Sequence, residues 1–285
     1  MMDLVREAAV SGMFYPDNPG VLRKDINGYL EAAVAPVLEG DIIGIISPHA
    51  GYVYSGQVAA YGYKTVAERL YDTVIIIAPS HKAYFDGVAL WERGGFKTPL
   101  GTINVDEEIA RAMVHLDGVI QPNRDAHRQE HSLEVQLPFL QVVLDQFSII
   151  PLIMGTQTAD MCNELAQSIY EVIHGSKKRF LIVCSTDLSH YYSYEKAVKL
   201  DKGIVEQIGS FDISGVMDII EQGKAEACGA GPLIATMLLS EKLGADHSKV
   251  LKYANSGDVS GDKSRVVGYV SAALYRHHSH EEDSQ

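Results

Sequence analysis

Basic residues are scarce in this chain of 285 amino acids. Its 24 Lys and Arg residues are outnumbered by 37 Asp and Glu residues, which gives a formal net charge of -13 at neutral pH. No local cluster of Lys or Arg offsets this negative charge. We therefore expect neither nucleic acid nor an anionic membrane as a partner, because both require a positively charged surface.

Long apolar runs and cysteine patterns are also missing. No run is long enough to cross a bilayer, and the N-terminal residues carry Asp3 and no apolar core of a signal peptide. The three cysteines, Cys162, Cys184 and Cys228, are odd in number and follow no regular spacing, which is typical of free thiols in a reducing compartment. These features predict a cytoplasmic protein without a disulfide framework.

Several common catalytic and nucleotide-binding motifs do not occur. The sequence has no G-x-S-x-G, no phosphate-binding G-x-x-x-x-G-K and no dinucleotide-binding G-x-G-x-x-G. The acidic stretch NSGDVSGD at 255–262 lacks the spacing of an EF-hand calcium loop. Any chemistry must therefore depend on other residues.

The chain does contain short apolar strands that alternate with helical patterns. We predict buried strands at 41–47, 73–78 and 179–185, because these runs are continuously apolar. Helices are predicted at 57–70, 160–174, 195–209, 212–222 and 231–243. The strand–helix–strand order over 41–78 predicts a βαβ crossover with parallel strands. The fold class is thus α/β, with a central, mostly parallel sheet flanked by helices.

Other segments refine this prediction. A Gly-rich region at 86–105 is expected to form a hairpin, and a helical segment at 130–147 is expected to be interrupted or kinked near Pro138. Pro151 is expected to interrupt a strand at 148–155. We see no linker, so residues 1–276 are predicted to form one domain, followed by a polar and disordered tail at 277–285.

Three of the predicted strands end on polar residues. His49 follows the first strand, Ser80 and His81 follow the second, and Asp187 and His190 follow the third. In open α/β sheets, ligands bind beyond the carboxyl ends of the strands, so these side chains can converge although they are distant in sequence. Because neutral imidazole is the commonest metal ligand, we expect His49 and His81 to bind a metal.

Two further clusters leave alternatives open. Asp187 could orient the imidazole of His190 for proton transfer, or it could cap the following helix. The segment EHSLEVQ places His131 and Glu134 three residues apart, which predicts one helix face. That pair could bind metal, but capping explains it equally well, and we place His131 in the pocket wall.

Cys228 differs from the other two cysteines. It lies in the Gly-rich turn EACGAGPL before a predicted helix, and a helix N-terminus lowers the pKa of a thiol. This position favours a thiolate that acts as a ligand or a nucleophile, whereas Cys162 and Cys184 lie in apolar segments and are expected to be structural. Tyr52 and Tyr54, in a predicted loop after His49, could line the pocket, as could Ser80.

Six ordered blocks carry a resemblance to a known family. They are SPHAGYVYSG, APSHKAYFDGVAL, EHSLEVQLPFLQ, STDLSHY, ACGAGP and VVGYVSAALY. On these blocks the chain resembles the Memo family, whose prokaryotic members are often called AmmeMemoRadiSam system protein B. That family is similar in fold to class III extradiol dioxygenases. The resemblance implies a metal site of His49, His81 and Cys228, with His190 as the acid–base residue beside Asp187.

The resemblance also implies a function and partners. A His, His and Cys ligand set suits iron or copper, and zinc is also compatible, so we expect a metal-dependent redox enzyme of the non-haem iron or copper type. The alternatives are a zinc-dependent hydrolase and a non-enzymatic binding or signalling module. The expected substrate is an unidentified small molecule or peptide, and the family association suggests radical-SAM and AMMECR-type protein partners.

Overall fold

Four parallel strands form the centre of the fold in a computed structural model, which describes residues 4–116 and 118–278. The strands are β1 (Val5–Arg6), β2 (Gly40–Ser47), β3 (Thr73–Pro79), β4 (Val88–Leu90), β5 (Gly95–Thr98), β6 (Gly101–Asn104), β7 (Ile120–Pro122), β8 (Ser148–Met154), β9 (Phe180–Ser185), β10 (His190–Tyr192), β11 (His247–Asn255) and β12 (Val266–His277). The helices are α1 (Pro19–Ala32), α2 (Tyr52–Val66), α3 (Glu107–His115), α4 (Asp125–Arg128), α5 (Leu137–Val143), α6 (Ala159–Ile173), α7 (Tyr194–Gly209), α8 (Ile213–Glu221), α9 (Ala230–Lys242) and α10 (Ser256–Ser260), with a 3₁₀ turn at Glu134–Gln136.

Within residues 4–116 and 118–278, the main sheet has nine strands. Its order is β10-β12-β2-β9-β3-β8-β4-β7, and β11 also pairs with β12. The central strands β2, β9, β3 and β8 are parallel, whereas β12 is antiparallel to β2 and β4 is antiparallel to β8. This confirms the predicted α/β class with a mixed, mostly parallel central sheet. The predicted crossover from β2 to β3 is parallel, but β9 lies between the two strands.

Helices cover both faces of this sheet. A Cβ at Gly44 of β2 would lie 2.8 Å from Ser240 Oγ of α9, and a Cβ at Gly62 of α2 would lie 3.9 Å from the Cβ of Ile45. Neighbouring residues of a strand point to opposite faces, so α9 and α2 pack on opposite sides of β2. The central strands are therefore buried on both faces, which explains why their sequences are continuously apolar.

The predicted hairpin at 86–105 is confirmed in part: β5 and β6 form it, whereas β4 in the same region joins the main sheet beside β8. Strands β5 and β6 pair antiparallel, and β1 adds to β5 in a separate three-stranded sheet. The hairpin thus ties the N-terminal segment to the body of the protein.

Three expectations about local structure are wrong. Pro151 does not interrupt β8, because β4 ends opposite Leu152 and no ladder partner on that side requires a donor from the proline. Helix α2 begins at Tyr52 rather than at residue 57. Residues 130–133 precede the 3₁₀ turn instead of belonging to a helix, and Pro138 lies in the first turn of α5, where a proline is tolerated.

Strand β12 is the last element of the described chain. Its last residue, His277, pairs with Gly40. The predicted tail at 277–285 extends past this strand, and residues 279–285 lie outside the described part of the chain. Among the described residues, none of the helices is long and apolar enough to cross a membrane.

Candidate metal centre

Three imidazoles converge at the carboxyl edge of the central strands. His49 follows β2, His81 follows β3, and His131 lies just before the 3₁₀ turn. One potential ligand atom from each histidine lies within 4.8 Å of the other two. The His81 and His131 rings are stacked with their centroids 4.7 Å apart, and His49 meets His81 edge to face at 5.2 Å. This spacing can accommodate one metal ion among the three rings.

Hydrogen bonds determine the tautomer of His49. The Ser185 hydroxyl donates to Ser132 O at 2.7 Å and accepts from Gln136 Nε2 at 2.8 Å. His49 Nδ1 lies 2.9 Å from the same hydroxyl oxygen. Because the hydroxyl hydrogen is already donated to Ser132, His49 Nδ1 must carry the hydrogen and donate it. His49 Nε2 is then left with a free lone pair.

A buried carboxylate holds the second and third histidines. Glu130 accepts hydrogen bonds from the backbone N–H groups of His81, His131 and Ser132. Its Oε1 also lies 3.0 Å from His81 Nδ1 and 3.3 Å from His131 Nδ1. Burial opposes ionisation, but the hydrogen bonds from His81 outweigh it and lower the pKa of Glu130 to about 2. Glu130 is therefore a charged acceptor at neutral pH.

The imidazoles of His49 and His131 are uncharged at neutral pH. Burial, together with the neighbouring histidines, lowers the pKa of His49 well below its ordinary value of 6.5. Burial also lowers the pKa of His131 to about 4, although the Glu130 carboxylate opposes this effect. A neutral imidazole is the form that binds metal, so the donor set fits a metal ion.

Cys228 lies beside the three histidines. Its Sγ is 3.2 Å from His49 Nε2 and accepts a hydrogen bond from the backbone N–H of Asp187 at 3.3 Å. The expected lowering of the thiol pKa is not found in this structure. Burial and the Asp187 carboxylate raise the pKa of Cys228 above its ordinary value, because together they outweigh the hydrogen bonds that favour the thiolate. Cys162 and Cys184 are buried, as expected for structural cysteines.

Asp187 contacts His49 rather than His190. Asp187 Oδ1 accepts from the backbone N–H of His49 at 2.8 Å, and Oδ2 lies 3.9 Å from His49 Nε2. The capping role is wrong, because the N-cap of α7 is Ser193. The role of Asp187 beside His190 in proton transfer stays a prediction. Burial raises the pKa of Asp187 to about 7. His190 opens β10, and burial lowers its pKa below the ordinary value.

The other predicted pocket residues lie outside this cluster. Tyr52 is in the hydrophobic core rather than in a loop, and its hydroxyl donates to Val135 O at 2.7 Å. Tyr54 lies in the first turn of α2 and is 43% exposed. The Ser80 hydroxyl donates to Ala83 O at 2.7 Å, within its own turn. Tyr52 and Ser80 therefore support the local structure.

His131 and Glu134 do not share one binding face. His131 joins the imidazoles, whereas Glu134 is fully buried elsewhere and pairs with Arg6. Glu134 also accepts from the Tyr15 hydroxyl and from the backbone N–H of Val10 at 3.0 Å. The single-face prediction is wrong because residues 130–133 are not helical. Glu134 instead anchors the N-terminal segment.

Sequence reasoning missed the residues that support the histidines. Ser185 and Gln136 orient His49, and Glu130 contacts His81. A sequence signal exists for Ser185, because it is the last residue of an apolar strand and two polar residues, Thr186 and Asp187, follow it directly. Glu130 was visible only as an acidic neighbour of His131.

Known protein sequences are similar to this chain over most of its length. A family model described as Memo-like protein matches residues 6–273. A MEMO1 family protein of Methanopyrus kandleri is 38% identical over 283 residues, covering 95% of this chain and 99% of its own. A MEMO1 family protein of Methanosarcina mazei is 41% identical over 268 residues, covering 94% of this chain and 98% of its own.

One solved structure is also similar. It is the crystal structure of an uncharacterized protein from Escherichia coli K12, which covers 82% of this chain and 100% of its own with a TM-score of 0.48 and 9% identity. The family assignment depends on the sequence matches, which extend over nearly the whole chain at well above 30% identity. This chain therefore belongs to the Memo family.

Proposed function

We propose that this protein is a metal-dependent oxidoreductase of the non-haem iron or copper type. The observation that carries the proposal is the convergence of His49, His81 and His131, whose ligand atoms lie within 4.8 Å of one another. Cys228 adds a sulfur donor 3.2 Å from His49 Nε2. Imidazole and thiolate donors together suit iron and copper, whereas carboxylate and water donors suit magnesium or calcium.

The protein residues have separate roles in this proposal. His49, His81 and His131 hold the metal, and Cys228 supplies a fourth donor when its thiol loses a proton. A bound iron or copper ion would supply one-electron chemistry. Burial and the nearby His81 lower the pKa of His190. As a neutral imidazole, His190 can accept a proton from a substrate. Asp187 holds the backbone of His49 and keeps the first histidine in place.

A zinc-dependent hydrolase is the second candidate. Three imidazoles also match open zinc sites, which keep one position for a water molecule. Zinc would lower the pKa of that water, so that it could lose a proton and attack an ester or amide. In that case His190 would act as a general base. The presence of the Cys228 thiol at the site favours the redox proposal. The radical-SAM and AMMECR-type partners remain predictions, as does the small-molecule or peptide substrate.

Metal analysis of the protein purified without oxygen and without nickel tests the proposal. We expect near-stoichiometric iron or copper in the wild type and loss of this metal in His49→Ala, His81→Ala and His131→Ala. Cys228→Ser should keep metal but lose any sulfur-to-metal charge-transfer absorption. His247→Ala is the matched control, because His247 is exposed and pairs with Asp246 away from the three-histidine cluster.

Two results would contradict the proposal. Zinc as the only retained metal, with hydrolysis of esters or amides that depends on it, would favour the hydrolase. Absence of bound metal, or metal content that is equal in all four histidine variants, would exclude both metalloenzyme candidates and leave the binding module.

A further inference from the structure

Glu130 is a buried carboxyl group beside the proposed metal ligands. Its side chain is 1% exposed, and the donors around it come from His81, His131 and Ser132. Its Oε2 accepts from the backbone N–H of His81, and its Oε1 accepts from the backbone N–H groups of His131 and Ser132. Because a backbone N–H can only donate, both side-chain oxygens of Glu130 act as acceptors.

This arrangement determines which nitrogen of His81 is free. His81 Nδ1 lies 3.0 Å from Glu130 Oε1, and this contact is a hydrogen bond only if Nδ1 carries the hydrogen. The other ring nitrogen, Nε2, then has its lone pair free. The backbone N–H of His81 donates to the second oxygen of the same carboxylate, so both the ring and the main chain of His81 are held.

Glu130 is itself fixed from the opposite side. Arg6 donates from Nη2 to Glu130 O and from Nε at 2.7 Å to His127 O. The Arg6 guanidinium in turn pairs with Glu134. The backbone that carries Glu130 is therefore anchored by the N-terminal segment, which leaves the carboxylate little freedom to move away from His81.

From these contacts we infer that Glu130 is a positioning residue for the metal centre, which holds His81 in the Nδ1–H tautomer and presents His81 Nε2 to the metal. The inference rests on the proposed function, because it concerns the same three histidines. A residue of this kind changes metal affinity without touching the ion. Outer carboxylates that orient ligating histidines typically change metal affinity by ~10–100-fold.

Asp106 provides a matched control. It is a second buried carboxylate, and it accepts from the Thr73 hydroxyl and from Lys178 Nζ at 2.9 Å. Thr73 begins β3, whereas His81 follows the other end of that strand. Glu130→Gln and Asp106→Asn therefore both replace a buried, hydrogen-bonded carboxylate, but only the first alters a contact with His81.

The experiment measures Zn²⁺ affinity of the full chain by competition with a chelator, since zinc has no redox chemistry that would damage Cys228. We expect binding by Glu130→Gln to be weaker than wild type by ~10–100-fold, and binding by Asp106→Asn to be unchanged. Equal affinity of wild type and Glu130→Gln would overturn the inference while the metal site itself stands. Absence of Zn²⁺ binding by the wild type would overturn the inference together with the proposed function.

A second measurement needs no Glu130 variant. Nitrogen-15 spectra of histidine-labelled, metal-free wild type report which ring nitrogen carries hydrogen, and His81→Gln identifies the His81 signals. We expect a protonated Nδ1 and an unprotonated Nε2 for His81. The opposite tautomer would overturn the inference even if Glu130→Gln failed to fold.

Discussion

His127 shows at the scale of one residue how burial makes stability depend on pH. Its side chain is 1% exposed, and its Nε2 donates to Ala89 O at 3.1 Å. The rings of Trp91 and Phe96 lie beside it, and its Nδ1 has no hydrogen-bond partner among the described residues. A proton added at Nδ1 would therefore be a buried charge without a partner, which is unfavourable.

We predict that His127 contributes to acid sensitivity. Burial lowers its pKa from 6.5 to about 3, so between these values the unfolded chain binds a proton that the folded chain does not. Its contribution to stability is complete above the unfolded pKa and is lost as pH falls towards 3, by up to ~1.4 kcal/mol per pH unit. Urea unfolding of wild type and His127→Gln at a series of pH values measures this slope. The variant should lose less stability on acidification, and parallel curves would contradict the prediction.

The same scale shows what single residues reveal in the sequence. His49 and His81 were predictable as candidate ligands, because each directly follows an apolar strand. The tautomer of His49 was not predictable, since it depends on a hydroxyl of Ser185 that is 136 residues away. Nor could the pKa of Cys228 be inferred from its position before a helix, because the surrounding chain determines its burial.

At the scale of elements, the turn before α9 packs tightly against the end of β9. A Cβ at Gly229 would lie 2.6 Å from Ser185 O and 2.8 Å from the Cβ of Thr186. The Gly229 N–H also donates to Thr186 Oγ1 at 3.0 Å. Glycine at this position thus allows the turn that carries Cys228 to approach the backbone of the strand.

We predict that Gly229→Ala destabilises the protein by ~1–3 kcal/mol, the range for an overpacked site, because backbone atoms of β9 must move. It should also make the Cys228 thiol react faster with a thiol reagent in the folded protein. Gly203→Ala in α7 is the control, since a Cβ there would have no described atom within 4 Å beyond its chain neighbours and the backbone of its own helix, and alanine favours a helix. Urea unfolding and thiol kinetics measure both effects. Equal stabilities of the two variants would show that the turn is not tightly packed.

The elements themselves were largely predictable from hydrophobic patterns. Strands β2, β3 and β9 appear as continuous apolar runs because helices bury both of their faces. Their order in the sheet was not predictable, because β9 inserts between β2 and β3 from far along the chain. The segment before the 3₁₀ turn was misjudged as helical, because hydrogen bonds to Glu130 hold it in another conformation.

At the scale of the whole molecule, the candidate centre unites segments that are distant in sequence. His49 and His81 follow two strands that β9 separates, His131 comes from a connecting segment, and Cys228 comes from the turn before α9. These side chains meet only when the central sheet and the segment around Glu130 are both formed. An unfolded chain cannot present them together, so a metal that binds the folded chain should stabilise the entire fold.

We therefore predict that metal raises the melting temperature of the whole protein. At a free Zn²⁺ concentration of about 100 times the dissociation constant, binding to the folded state alone adds ~2.7 kcal/mol of stability, which corresponds to a shift of several degrees. A chelator should reverse the shift, His81→Ala should abolish it, and the exposed His247→Ala should retain it. Thermal unfolding followed by circular dichroism measures these differences. A melting temperature that is insensitive to Zn²⁺, or an equal shift in His81→Ala, would mean that the three histidines do not bind metal as one site, since a site formed only by folding must couple its ligand to the stability of the fold.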